Sequence, residues 1–422
     1  MRDILYASPA FAFAIPTFPV MIFLPALYAE DFGLTVGKVG FFLFIAKIID
    51  IFTDPLVGWI NDKKILSRKI LLLIGSFISG VSLYKLFLIR EIPYEEYLLV
   101  WIGLLYLGWT MFQIPYLSIG YDLEKSYYYR TKLSATRETF VLIGLFSSLC
   151  IPMILQIDNL GLAEYLVKIS MISGFVGVFF LCFFVEEKDT RNPTIILKTS
   201  FANLSSNIKL IKILIIWFIN SLANVFPMIL FAFYITYVLG GDDYDRQKTL
   251  FFYFLFAIIG VPFWTHLSKK TDKTIAWSIS LILSAFIFIF VIFLNPGDFF
   301  IFIIISCITG LCLGADLVIP PSIQADMTDL HKQKYNEEIS GILFSLITGI
   351  NKLSFALGSF FVFGILELLG FSTDLTVGKN SQNFIIFCYA IVPVILKVIA
   401  FTMLRKFKFS EKELIEIQNK IN

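Results

Sequence analysis

The sequence predicts an all-α membrane protein of twelve transmembrane helices in two six-helix halves, and three observations carry that prediction. Hydrophobic residues make up 58% of the 422-residue chain and charged residues 16%, against about 25% charged in soluble domains; mean hydropathy is +0.82. Apolar stretches long enough to cross a bilayer recur along the chain. A polar stretch near its middle divides them six and six.

The first six spans fall near residues 9–29, 38–60, 70–90, 97–120, 135–156 and 163–185. Residues 1–8 are short and precede a span too long for a signal-peptide core, so the first helix is expected to stay. The sequence EEKDTRNPTIILKTSFANLSSNIK, Glu186 to Lys209, then supplies charges, Asn, Ser and a proline, as a linker does. Six more spans lie near 212–238, 249–267, 275–294, 299–325, 339–369 and 382–404. The expected organisation is an N-terminal half 1–185, a cytoplasmic linker 186–211, a C-terminal half 212–404 and a cytoplasmic tail 405–422. Pro16, Pro19 and Pro25 in helix one, and Pro320 with Pro321 in helix ten, remove backbone hydrogen bonds and are expected to bend those helices.

Positive residues are retained on the cytoplasmic side of a membrane. Lys63, Lys64, Arg68 and Lys69 in the 61–69 loop, Lys125, Arg130 and Lys132 in 121–133, Lys269, Lys270 and Lys273 in 268–274, and Lys332 and Lys334 in 327–337 alternate with loops poor in lysine and arginine. Arg90, Arg246, Lys248 and Lys379 are exceptions. Both termini are expected to be cytoplasmic, in a multi-pass protein of the bacterial inner membrane.

Composition also excludes functions. The basic residues sit in short loops rather than in a stripe interleaved with aromatics, which argues against nucleic acid as a partner. The five cysteines lie in apolar segments without metal-ligand spacing, and the two histidines, His266 and His331, are far apart. No catalytic motif is evident, and the chain is expected not to be an enzyme. Membrane lipid and a small-molecule substrate are the expected partners, and the protein is expected to act as a monomer.

The most informative residues are Lys47, Asp50 and Asp54, inside the second span. Steps of three and four place them on one helical face. A carboxylate at membrane depth costs roughly 2.5–3.5 kcal/mol, so two of them one turn apart need a cation, the lysine or water between them. An ion path is the functional reading; a network that only holds the helix is the competing one. The ends of the second and eighth spans, PLVGWINDKK and VPFWTHLSKK, share a proline, a tryptophan and a basic turn, as in two related halves with a site at mid-membrane.

KIIDIFTDPLVGWINDKK (Lys47–Lys64) resembles the second-helix signature of the glycoside-pentoside-hexuronide:cation symporters, the melibiose permease family of the major facilitator superfamily. GWTMFQIPYLS (Gly108–Ser118) is similar to that family's fourth helix, GADLVIPPSIQADMTD (Gly314–Asp329) to its tenth-helix exit, and Gly349–Gly358 with Lys352 to its eleventh helix. The resemblance implies a major facilitator fold and uptake of a sugar or glycoside with sodium or a proton, without a cofactor. It places the cation at Asp50, Asp54 and Thr110, with Thr53 where some members have Asn; two carboxylates and hydroxyls suit a hard cation, and no metal beyond such a sodium is expected. Arg137 and Lys352 match polar positions of the family. Gln113 and Ala14 stand where the sugar carriers have carboxylates, and Leu117 and Leu317 where they have tryptophans. Gln113, Arg137, Asp316, Lys352 and Lys47 are the candidates for substrate binding or coupling, with Asp316 expected to pair with Lys352 if it does not meet substrate. Asp62, Asp326 and Asp329, at helix ends beside basic loops, are expected to be gates or latches. Loss of the tryptophans leaves an alternative, a carrier of lysolipid or another amphiphile on the same fold.

Overall fold

The computed structural model describes residues 2–17, 19–24, 27–28, 32, 34, 36–88, 96–155, 159–186, 197–369, 378–407 and 409–421. Pro25, Arg90 and residues 187–196 of the expected linker lie outside them. The helices, in chain order, are α1 (Arg2–Ala14), α2 (Val36–Asp62), α3 (Arg68–Phe87), α4 (Tyr97–Leu123), α5 (Tyr127–Leu155), α6 (Asn159–Phe184), α7 (Leu197–Ser206) and α8 (Ile208–Tyr234). They continue as α9 (Asp243–Lys270), α10 (Lys273–Phe288), α11 (Phe299–Tyr335), α12 (Ser340–Leu368), α13 (Lys379–Ile386), α14 (Val392–Lys406) and α15 (Glu411–Ile421). Ten stretches among the described residues are long and apolar enough to span a bilayer. With α2 and α5, of 27 and 29 residues, they make the twelve.

Two expected loops are helix instead. Helix α11 runs on to Tyr335 through the 327–337 stretch, and α5 begins at Tyr127 rather than 135. The reason is burial of the charges: Arg130, Asp326 and Asp329 are nearly inaccessible and end in ion pairs, so the polar sequence continues the helix rather than leaving it for water. The prolines act unequally. In the first span, α-helix stops at Ala14 and a π-helical turn, Pro19–Phe23, follows; α11 passes through Pro320 and Pro321.

The chain divides into two compact units, residues 1–202 with 328–346, and residues 203–327 with 347–422. The first is built on α1 to α6. Its core joins Leu24, Tyr28, Leu86, Leu98, Ile102 and Val167, with a second cluster around Tyr6, Leu72, Phe112 and Leu181. Helices α3 and α4 cross at Gly75 and Gly108: a Cβ on Gly75 would lie 2.6 Å from the Phe112 nitrogen, so neither position has room for a side chain. In the second unit the core gathers Leu230, Tyr234, Val291, Phe302, Val362 and Tyr389, with Tyr234 and Tyr389 stacked at 4.2 Å. Phenylalanines such as Phe77, Phe175, Phe300 and Phe360 are more than 70% exposed, as on a lipid-facing surface.

Each unit repeats two polar links. Tyr28 donates its hydroxyl hydrogen to the Leu86 carbonyl at 3.3 Å, and Tyr234 does the same to Val291 at 2.9 Å. Arg68, opening α3, pairs with Asp122 near the end of α4; Lys273, opening α10, pairs with Asp326 on α11 at 2.5 Å. The kinship suggested by the Trp59 and Trp264 motifs thus extends to buried hydrogen bonds and ion pairs.

Candidate functional site

Helix α2 brings Lys47, Asp50 and Asp54 onto the face that meets α4. Asp50 is 3% exposed, Asp54 1% and Thr110 4%. The Thr110 hydroxyl lies 2.7 Å from Asp54 Oδ1 and 3.2 Å from Asp50 Oδ1, so one oxygen on α4 is shared between two carboxylates on α2. Lys47 Nζ is 3.2 Å from Asp50 Oδ2 and 4.4 Å from the centroid of the Tyr106 ring. A hydroxyl has one hydrogen to donate. It serves the closer carboxylate, Asp54, and leaves the Thr110–Asp50 approach as two oxygen acceptors facing each other. Among these four side chains, one lysine against two carboxylates leaves one negative charge when both acids are ionised. Oxygen donors and one negative charge are the coordination chemistry of a monovalent hard cation, or of a proton held between the acids.

The neighbouring candidates fall around this core. Thr53 directs its hydroxyl to the Asp50 backbone carbonyl at 3.0 Å. Gln113, three residues beyond Thr110 on α4, is exposed. Arg137 is buried, holds Glu138 at 2.5 Å and hydrogen-bonds Tyr6, which is itself tied to Tyr116; its charge stays inside the protein.

Asp62, Asp326 and Asp329 are all engaged. Asp62 accepts from the backbone N–H groups of Gly341 and Ile342, each at 2.7 Å, and from Asn61. It caps the start of α12, where orphan N–H groups and the helix dipole favour a carboxylate. Helix approach is close here, since a Cβ on Gly58 would lie 2.8 Å from the Gly341 oxygen. Asp62 lies two residues beyond the apolar 38–60 span, and its burial pushes the carboxyl up to about 6, against the lowering effect of the Ile342 and Gly341 N–H groups and of Arg68. Asp329 accepts from Tyr121 at 2.5 Å and pairs with Arg130 at 2.9 Å.

In the second unit, Asp316 is paired with Lys397 at 3.4 Å rather than with Lys352. Its carboxylate also accepts from Trp277 Nε1 at 2.8 Å and Asn224 Nδ2 at 3.0 Å. Lys352 is half-buried on α12. Lys397, Asn220, Asn224 and Trp277 were not singled out from the sequence. A lysine alone in the apolar 382–404 span was the available signal.

A family model described as MFS/sugar transport protein matches residues 5–411. The chain belongs to this family. Membership makes it a membrane transporter and not an enzyme, in agreement with the motifs of its second and fourth helices. Among the relatives of this MFS/sugar transport protein are two from Bacillus subtilis (strain 168), both called uncharacterized symporters. YnaJ is 22% identical over 440 residues, covering 97% of this chain and 91% of the relative. YjmB is 23% identical over 372 residues, covering 80% and 77%. Solved structures share the fold at low identity. The major facilitator superfamily transporter FucP in the outward conformation matches with a TM-score of 0.72 at 13% identity, over 97% of this chain and 99% of that one. A bacterial homologue of the iron transporter ferroportin in the outward-facing state matches with a TM-score of 0.71 at 13% identity, over 96% and 98%.

Proposed function

We propose that this chain is a cation-coupled symporter that imports a small polar solute, a sugar or glycoside, by alternating access, with sodium or a proton bound at Asp50, Asp54 and Thr110. The supporting observation is the single Thr110 oxygen set between two buried carboxylates, with Lys47 beside Asp50. The names of the two symporter relatives point the same way.

Cation binding neutralises the site, and that neutrality is what permits its burial during occlusion, because an uncompensated charge is costly at membrane depth. The downhill ion thereby biases the conformational equilibrium that carries the solute. Asp62 and Asp329 latch the 328–346 segment within the first unit, and their bonds break and re-form as the transporter cycles. The positive loops set both termini on the cytoplasmic side of a bacterial inner membrane, with the protein working as a monomer.

The test is uptake by purified protein in liposomes, with radiolabelled sugars supplied under an inward sodium gradient, an inward proton gradient or neither. Accumulation above equilibrium under one gradient is the expected result. Equilibration that ignores both gradients contradicts the proposal.

A further inference from the structure

The interior of the second unit holds a polar cluster within helices that are otherwise apolar. Trp217, Asn220 and Asn224 follow one another on α8 at helical spacing, Trp277 stands on α10, Asp316 on α11 and Lys397 on α14. Asp316 accepts from three donors: Trp277, Asn224 and Lys397 all direct hydrogens to it. Lys397 also reaches Asn220 Oδ1 at 3.2 Å. Both contacts of the ammonium, at 3.2 and 3.4 Å, are longer than the 2.7–2.9 Å or so usual for a charge-assisted bond.

The donors of the cluster exceed its acceptors. Asn220 is fully buried, and among the described residues its Nδ2 has no hydrogen-bond partner. The buried Trp217 Nε1 also has none, and its ring packs 6.3 Å from that of Trp277. A network whose only task is to hold helices together satisfies its buried groups. Here two buried N–H donors of one polar cluster have no hydrogen-bond partner among the described residues, beside an ammonium whose two oxygen contacts are long.

We propose that Trp217, Asn220 and Lys397 form a subsite that takes oxygen atoms of a neutral, polyhydroxylated solute. This rests on the reading of the chain as a solute carrier and names the solute's class at a site in the second unit. Neutrality follows from the charges in place. Asp316 and Lys397 already balance, so a solute carboxylate adds an uncompensated negative charge beside Asp316 in a low-dielectric interior. A hydroxyl or ring oxygen accepts the same hydrogen bonds without that cost.

The experiment is equilibrium binding to purified full-length protein at fixed sodium and pH, using D-xylose, D-glucose and methyl β-D-galactoside against D-glucuronate and D-galacturonate. At least one neutral sugar is expected to bind saturably, with the acids at least about tenfold weaker. Asn220→Ala raises Kd about tenfold or more, and Trp217→Phe, which keeps the ring bulk and removes only the N–H, raises it several-fold while the melting temperature stays near wild type. The proposal is overturned if both variants bind like the wild type, if the acids bind as tightly as the neutral sugars, or if none of the three neutral sugars saturates. Sugar binding that is lost in these variants, in a protein whose uptake ignores both cation gradients, counts against coupling and leaves the subsite standing.

Discussion

Thr110 and Asp54 are joined across two helices by a 2.7 Å hydrogen bond, and the same hydroxyl stands 3.2 Å from Asp50. Thr110 is therefore the residue of α4 that sets one oxygen between the two α2 carboxylates. Thr110→Val keeps the shape and deletes the shared oxygen. The half-saturating cation concentration for uptake is expected to rise about tenfold, matching the loss of one hydrogen bond to a charged group, while Thr110→Ser stays near wild type. Equal cation dependence in Thr110→Val and wild type contradicts this role.

The buried pair Lys273–Asp326, with both side chains 1% exposed or less, gives a stability prediction. Removing one partner strands a charge at a cost of about 3–5 kcal/mol, whereas replacing both with apolar groups is often neutral. Lys273→Met is expected to lower the melting temperature clearly, and the double variant Lys273→Met/Asp326→Leu to recover most of the loss. Additive losses in thermal unfolding contradict the pairing.

Asp62 links the α12 cap to pH. Its carboxyl is raised from 3.8 to about 6, so the capped arrangement binds a proton more tightly than one with Asp62 in water. The capped arrangement is thus most favoured below about pH 4 and loses that advantage, about 3 kcal/mol, as pH rises through about 6. Spin labels at Lys64→Cys and Asn336→Cys, flanking the cap, are expected to show a growing long-distance population between pH 4.5 and 7. The same pair in Asp62→Asn is expected to show a flatter response; an unchanged pH profile in that variant removes Asp62 as the cause.

Gly58 and Gly341 face each other where a Cβ has no room. Gly58→Leu is expected to push α2 from the start of α12 and expose the Gly341 and Ile342 amides. Their hydrogen exchange should accelerate at least about tenfold, and unchanged protection contradicts the close packing.

What the sequence revealed depended on how local each signal was. Lys47, Asp50 and Asp54 share one helix, so their spacing alone aligns them, and Thr110 came from a resemblance rather than from geometry. The partners of Asp316 were illegible because Lys397 lies 81 residues away in sequence, inside a span whose apolar character masks one charge. Lys352 was nearer in sequence, and it is not the lysine on that carboxylate. The length of α11 was missed for a related reason: residues 327–335 look like loop until Arg130 and Tyr121 are seen against Asp329. Helix count, by contrast, follows from hydropathy, since a bilayer demands long apolar helices whatever they contact.

The claim that the α2 carboxylates couple an ion to solute movement is tested most directly by Asp54→Asn in liposomes, comparing solute counterflow with gradient-driven accumulation in the same preparation. The account predicts counterflow retained and accumulation above equilibrium reduced at least about tenfold, because the amide no longer supplies the charge that the cation answers. Accumulation at the wild-type level, under whichever gradient drives the wild type, contradicts it.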